Sequence, residues 1–202
     1  MFRRSLILAA LAAPLLGAPL AAVAAEPIEA AGVKFPATAP LGGSTLQLNG
    51  AGVRYKFVVK VYAAGLYLAS KATTAEAVLA APGPKRIRIV MLREIDGNEL
   101  GKLFTRGMED NNSREDFSKS IPGTIRMSEV FSTRKRLFPG EHFSVDWVPG
   151  VGTQVVVMGK PTGDPIKEPE FFAVLMRIWL GKSPADAQLK DALLGKQRSS
   201  GN

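Results

Sequence analysis

The sequence contains no cysteine and only one histidine. Without thiols the protein has no thiolate chemistry, no iron–sulfur cluster and no cysteine-ligated zinc site. The single histidine, His142, gives little support to a histidine-based metal site or a Ser-His-Asp triad. It lies in P-G-E-H-F-S-V, where we interpret it as a structural residue at the start of a strand. We predict neither a metal nor a cofactor.

Other catalytic signatures are also missing. The chain has no phosphate-binding loop and no nucleophile elbow. Its acidic pairs fall at helix ends or in polar loops: Asp96/Glu99, Glu109/Asp110 and Glu115/Asp116. We interpret these pairs as helix caps and solvated faces rather than acid–base pairs. The sequence therefore predicts no catalytic residues.

The one long apolar run lies at the N-terminus. Two arginines precede the apolar residues 6–16, and small residues end the segment before Glu26. The run is too short, and too interrupted by proline, to span a membrane. This pattern predicts a cleavable secretory signal peptide over residues 1–25. We therefore expect a periplasmic protein whose residues 26–202 form a single domain.

Positive charge exceeds negative charge. The formal net charge is +8, and removal of the two arginines of the predicted signal peptide leaves +6. The excess is spread along the chain, with short basic segments at 85–88 and 134–136. Such charge favours anionic partners. Because an exported protein rarely meets nucleic acid, we expect an anionic small ligand or peripheral contact with an anionic membrane surface. Alternatively, most of these charges only keep the protein soluble.

Apolar periodicity predicts the order strands, helix, strand, helices, hairpin, helices. We predict strands at 33–35, from 46, at 53–61 with period-two alternation, at 62–68 and at 85–93, and a hairpin of 142–148 with 153–159. We predict helices at 73–81 with a capping box, from Asp96 to 111, at 123–132, at 171–181 and at 183–195 with Ser183 as N-cap. Residues 112–123 are predicted to be a polar segment, and residues 161–169 are predicted to be a loop. The order predicts an α+β fold, with one antiparallel sheet packed on one side by helices.

Four side chains within apolar segments are candidate ligand-binding residues: Arg54, Tyr62, Tyr67 and Arg177. A buried arginine requires an anionic partner, and residues 46–70 contain no acid. The partner of Arg54 is therefore predicted to be a ligand carboxylate, bound through two parallel N–H···O bonds and completed by a tyrosine hydroxyl. Arg177, within F-F-A-V-L-M-R-I-W-L, either extends outward along its aliphatic stem or faces a cavity.

Two motifs, N-G-A-G-V-R and K-V-Y-A-A-G-L-Y-L, resemble the chalcone isomerase superfamily, and in particular its bacterial exported branch. The resemblance extends over about residues 30–195 and includes D-G-N-E-L and A-V-L-M-R-I-W-L-G-K-S-P-A-D. It implies an open-faced β-sandwich, in which a large antiparallel sheet is covered by a layer of helices. The family contains plant enzymes that cyclise chalcones to flavanones, and fatty-acid-binding relatives with no known chemistry.

The resemblance also implies roles for individual residues. In the fatty-acid binders, the residues that Arg54 and Tyr62 resemble hold the ligand carboxylate. Catalytic members carry threonine at the position of Tyr62, and their catalytic tyrosine and asparagine align near Leu100 and Gly107, which cannot replace them. Their specificity residue aligns close to Arg177. The resemblance thus favours non-catalytic binding of a fatty acid or similar amphipathic carboxylate. An isomerase or intramolecular lyase acting on a phenolic or enone substrate, and a non-catalytic accessory protein, are the alternatives.

One geometric condition decides whether Arg54 and Tyr62 form a single site. On one straight strand, two residues eight positions apart are separated by roughly 26 Å. They can share a carboxylate only if the chain reverses between them, near residues 56–58. The alternation over 53–61 predicts one strand, and no glycine or proline in it marks a turn. The reversal is therefore an expectation from the resemblance alone.

Overall fold

A computed structural model describes residues 26–196, so the predicted signal peptide, residues 1–25, lies outside the described residues. The strands are β1 (Ile28–Ala30), β2 (Val33–Phe35), β3 (Thr38–Leu41), β4 (Ser44–Lys56), β5 (Val59–Leu68), β6 (Lys85–Met91), β7 (Ile95–Asp96), β8 (Arg136–Leu137), β9 (His142–Val148), β10 (Gly152–Val157) and β11 (Lys160–Ile166). The helices are α1 (Ala75–Ala80), α2 (Gly97–Asn111), α3 (Arg114–Ser132), α4 (Phe171–Leu180) and α5 (Ala187–Leu193). Within this part of the chain, no helix is long and apolar enough to cross a membrane.

Seven strands form one antiparallel sheet in the order β11-β10-β9-β6-β5-β4-β3. Two short ribbons, β1–β2 and β7–β8, lie outside it. Alternate residues of β5 point to opposite faces, as the pleat of a strand requires. Tyr62, Ala64 and Leu66 pack with the helices, whereas Ala63 and Tyr67 pack on the opposite face. The α+β fold, a large antiparallel sheet covered by a helical layer, is confirmed.

The core between sheet and helices is built around aromatic rings. Phe104 of α2 contacts Phe131 of α3 and Trp179 of α4, each with ring centroids 5.7 Å apart and in edge-on geometry. Phe143 of β9 lies 4.9 Å from Phe131, again edge-on. Such pairs add about 0.5–1.5 kcal/mol each to the burial of their surfaces. All of these rings are buried, so this space is filled by the protein's own side chains.

Helix termini follow the predicted capping chemistry only in part. Asp96 caps α2 as predicted, because its carboxylate accepts a hydrogen bond from the Glu99 N–H at 3.0 Å. Helix α1 is capped by Thr74 and not by the predicted capping box. Helix α5 is capped by Asp186, whose carboxylate accepts from two backbone N–H groups, so the prediction of Ser183 as N-cap is wrong.

Three predicted segments differ from the structure. Residues 53–61 are two strands of a hairpin and not one strand, because Lys56 pairs with Val59 around a two-residue turn. Residues 161–169, predicted as a loop, mostly belong to β11, an edge strand that tolerates Pro161 and Pro165 because its outer side has no pairing strand. Most of residues 112–123 belong to α3, which contains Pro122 in its interior.

Gly50, in the N-G-A-G motif, allows α5 to approach the sheet. A Cβ atom at Gly50 would overlap the carbonyl oxygen of Ala192 and lie 3.0 Å from that of Leu193. We expect Gly50→Ala to lower the free energy of unfolding by about 3 kcal/mol, measured by urea denaturation. The control is Gly101→Ala, where the nearest atom is 3.8 Å from the added Cβ, so stability should stay unchanged or rise. Equal losses in both variants would contradict this account.

Candidate functional site

The β4–β5 hairpin places Arg54 directly opposite Tyr62. The register shifts between Arg54 and Tyr55, so that Val61 is an extra residue on β5. The backbone N–H of Tyr55 donates to Asp186 at the start of α5 over 2.8 Å, which ties the hairpin to that helix. The chain therefore reverses between Arg54 and Tyr62, as the resemblance implies, and the two residues lie side by side.

The Arg54 guanidinium is half-buried and lacks a carboxylate partner in the described part of the chain. Its Cζ atom lies 5.5 Å from the centroid of the Tyr62 ring, a cation–π contact. Its Nε atom is buried and has no hydrogen-bond acceptor among residues 26–196. No acidic side chain of these residues lies within 4 Å of the guanidinium. An unpaired buried donor of this kind is costly, so the site is energetically suited to an anion.

Tyr62 is completely buried, and its hydroxyl oxygen accepts a hydrogen bond from the Trp179 indole N–H at 2.8 Å. Burial raises the pKa of the Tyr62 hydroxyl, although the Arg54 charge and the Trp179 hydrogen bond oppose this shift. The hydroxyl is therefore protonated at neutral pH. Since its oxygen already accepts from Trp179, its own proton is available to donate.

A cavity of about 120 Å³ adjoins Arg54. Its cationic residues are Arg54, Lys56 and Arg93, its acidic residues are Glu94 and Glu99, and its apolar residues are Val61, Ile95 and Leu103. The Glu94 carboxylate is paired with Arg136 at 2.6 Å, which offsets part of the negative charge. The cavity thus combines a charged rim with apolar walls, the arrangement that an amphipathic anion requires.

Tyr67 and Arg177 lie away from this cavity. Tyr67 faces the opposite side of the sheet, beside Arg86 and Arg88, and burial raises the pKa of its hydroxyl. Arg177 lies on α4, where its Nη1 donates to Asn112 Oδ1 at 2.8 Å. The structure therefore brings together Arg54 and Tyr62 but neither Tyr67 nor Arg177, and of these four residues only Arg54 lines the cavity.

Sequence reasoning missed Trp179 as the partner of Tyr62 and missed Arg93 and Lys56 at the cavity. Trp179 is 117 positions away from Tyr62, so only the packing of α4 on the sheet brings them together. Lys56 could have been predicted at the cavity, because it lies two positions after Arg54 on the same strand. Within residues 26–196, no three His, Asp or Glu side chains cluster closely enough to hold a metal ion.

Comparison with models of known protein families identifies the family of this chain. The model of a family described as chalcone isomerase-like matches residues 27–195, most of the chain. The protein belongs to the chalcone isomerase-like family. Its assignment to the bacterial exported branch stays a prediction.

Structural comparison of this chalcone isomerase-like protein gives a matching fold in a plant protein. A crystal structure of a fatty-acid-binding protein of Arabidopsis thaliana matches with a TM-score of 0.63 and 15% sequence identity. The match covers 81% of this chain and 92% of the plant chain. At this identity the likeness establishes the fold alone. The comparison with curated protein sequences gave no match.

The resemblance implies that Leu100 and Gly107 align near the catalytic residues of chalcone isomerases, and neither carries a reactive side chain. Leu100 is buried in the core on α2. Gly107 packs against Ile178, and an added Cβ would lie 3.2 Å from two of its carbon atoms. Neither position supplies a hydroxyl or amide group beside Arg54.

Proposed function

We propose that the protein is a periplasmic, non-catalytic binder of a fatty acid or similar amphipathic carboxylate. Arg54 binds the carboxylate through its guanidinium N–H groups, and the Tyr62 hydroxyl donates a further hydrogen bond. The family and the plant fatty-acid-binding protein of the same fold support a binding role at the level of the family. The exported location is proposed from the predicted signal peptide.

The buried, unpaired Nε of Arg54 is the observation that carries this proposal. If Arg54 only stabilised the fold, an internal carboxylate would be expected beside it, since a half-buried cation without one lowers stability. Among residues 26–196 the two acids at the cavity lie beyond 4 Å of the guanidinium. A ligand carboxylate would supply the missing acceptor. This favours the binding role over the accessory-protein alternative.

The size of the cavity limits how much of the ligand's hydrocarbon tail can lie inside it. At about 120 Å³ the cavity accommodates a carboxylate and the first carbons, because a water molecule takes about 30 Å³ in the liquid. The core between sheet and helices is filled by buried rings, among them Phe104 and Trp179. A longer tail must therefore separate α2 from β5 or leave the cavity along the apolar residues Val61 and Leu103.

A chain-length series tests the proposal. We expect mass spectrometry of organic extracts of the exported protein to detect a stoichiometric acid. In calorimetric titrations of the lipid-free protein with acids from butanoate to hexadecanoate, affinity should rise about three- to fourfold for each buried methylene. Equal affinity along the whole series would contradict an amphipathic ligand. An empty protein that binds no member of the series would contradict the proposal as a whole.

The isomerase alternative has a separate readout. Turnover of a chalcone by the wild type, lost when the Arg54 side chain is removed, would support the isomerase alternative. Arg54 would then stabilise a developing oxyanion. No general acid stands at Leu100 or Gly107, so we expect no turnover above the uncatalysed rate. Absorbance of the chalcone measures this directly.

A further inference from the structure

The hairpin that carries Arg54 ends in a cluster of exposed apolar residues. Phe57 is 93% exposed and Val58 is 91% exposed, and every residue from 55 to 60 is exposed. The hairpin also extends beyond its neighbours, because β6 pairs with β5 only from Tyr62 onward and β3 pairs with β4 only as far as Gln47. We call residues 55–60 the hairpin tip.

The backbone of the hairpin tip is strained at Phe57. Its φ of +58° lies in the left-handed region, which bulky residues rarely adopt. Glycine or asparagine is the usual residue at such a turn position. Because its ring is almost fully exposed, Phe57 gains little packing energy within the described fold to offset this strain. An aromatic residue held in this way is better explained by a role outside the fold.

Further exposed apolar residues lie at the same end of the sheet. The antiparallel register shows which segments lie at this end of the sheet, because Tyr62 pairs with Met91, Val90 with His142 and Phe143 with Val157. The segment before β9 and the turn between β10 and β11 therefore lie at the end that carries the hairpin tip. They contribute Phe138, which is 50% exposed, and the exposed Met158. Val151, also 50% exposed, lies at the opposite end, in the turn between β9 and β10.

Basic residues accompany these apolar side chains. Exposed bases at this end that have no ion pair within 4 Å among residues 26–196 are Lys56, Lys60, Arg93, Lys135 and Lys160. Two acids there are paired with arginines, Glu94 with Arg136 and Glu141 with Arg134. Asp96 and Asp186 cap helices, and Glu99 lines the Arg54 cavity. The balance of charge at this end is therefore positive.

We propose that this end of the sheet docks on an anionic lipid membrane, with Phe57 and Val58 inserted among the headgroups. Aromatic and aliphatic side chains partition into the interfacial layer of a bilayer, and lysines beside them reach anionic headgroups. A protein partner fits less well, since lysine is depleted at protein–protein interfaces, whereas here two lysines flank the apolar turn. The cavity at Arg54 is lined by Lys56 of the hairpin tip, so a carboxylate leaving the bilayer would enter beside the docking surface.

Sedimentation with lipid vesicles tests this docking. The processed protein, recovered after export, is mixed with vesicles of phosphatidylcholine alone or with one third phosphatidylglycerol, both free of fatty acid. We expect binding to the anionic vesicles that weakens as salt increases. Phe57→Asn combined with Val58→Thr should weaken it by about tenfold or more. Asparagine accepts the left-handed conformation, so thermal unfolding should be unchanged or occur at a higher temperature.

Matched variants distinguish docking through the hairpin tip from non-specific adsorption of the protein to vesicles. Val151→Thr removes an exposed apolar residue from the opposite end of the sheet and should leave vesicle binding unchanged. Lys56→Gln combined with Lys60→Gln should reduce the preference for anionic vesicles while the protein stays folded. Because the vesicles contain no fatty acid, these results do not depend on the proposed ligand.

Two outcomes would overturn the docking proposal. One is a wild-type protein that fails to bind anionic vesicles, or binds them equally well after the double change at Phe57 and Val58. The other is a dimer in solution that this double change dissociates, without any vesicle binding. That second result would assign the hairpin tip to contact with another copy of the chain.

Discussion

Arg54→Met is expected to weaken the binding of hexadecanoate by about 30- to 100-fold. The change removes the charged hydrogen bonds to the carboxylate, which contribute about 1.5–3 kcal/mol, together with the longer-range attraction of the charge. Methionine keeps a flexible, unbranched apolar side chain, shorter than that of arginine, that can pack against the Tyr62 ring. Because the buried Nε has no acceptor within residues 26–196, its loss should leave the free energy of unfolding unchanged or raise it. Calorimetry and urea denaturation measure the two effects.

Arg177→Met is the matched control for the Arg54 variant. Arg177 is also half-buried, but it donates to the neutral side chain of Asn112 at the C-terminal end of α2, whereas the Arg54 cavity adjoins the N-terminal half of that helix. Hexadecanoate affinity should therefore change by less than about twofold. If Arg54→Met bound hexadecanoate as well as the wild type does, the carboxylate would lie elsewhere. A loss of affinity equal in both variants would point to a general effect of charge.

Trp179→Ala is expected to lower the free energy of unfolding by about 4 kcal/mol. Trp179 is fully buried, packs edge-on against Phe104 and donates its indole N–H to Tyr62. Truncating a buried tryptophan leaves a cavity and typically costs about 3–5 kcal/mol. The Tyr62 hydroxyl also loses its hydrogen-bond donor inside the core. For a domain whose total stability is about 5–15 kcal/mol, this is a large fraction.

The chain offers its other tryptophan as a control. Trp147 is partly exposed at the end of β9, and its ring lies 6.4 Å from that of Phe172. Trp147→Ala should cost less than about 2 kcal/mol in the same urea denaturation. Equal costs at the two positions would mean that the aromatic cluster around Trp179 is not central to the core.

The fold could be predicted where local patterns and tertiary packing agree. The alternating residues 85–93 located β6, the hairpin prediction located β9, and Asp96 correctly marked the start of α2. The patterns failed where packing overrides local preference. Pro122 and Gly123 suggested a break, yet both lie inside α3. A Cβ at Gly123 would lie 2.6 Å from atoms of Ile166 and Phe171, so glycine there permits close packing rather than a turn.

The candidate site was predicted with the same limits. Residues 53–61 alternate so regularly between apolar and polar side chains that they indicate one strand. The turn at Phe57 could not be recognised from the sequence, because its left-handed residue is neither glycine nor asparagine. Only the family resemblance implied the turn that pairs Arg54 with Tyr62. Tyr67 is a candidate on the same ground as Tyr62, because it is a hydroxyl-bearing side chain within an apolar segment. Tyr67 follows Tyr62 by five positions, however, and because this separation is odd, the pleat of the strand places the two side chains on opposite faces.

Proline interrupts both outer strands of the sheet, Pro40 on β3 and Pro161 and Pro165 on β11. Each proline removes one backbone donor, so neither border presents an unbroken row of hydrogen-bonding groups to a neighbouring copy. Confinement to a two-dimensional surface raises the local concentration of any protein and with it the tendency to grow fibrils strand by strand. A sheet with these borders resists such growth and allows many copies to crowd together as separate molecules.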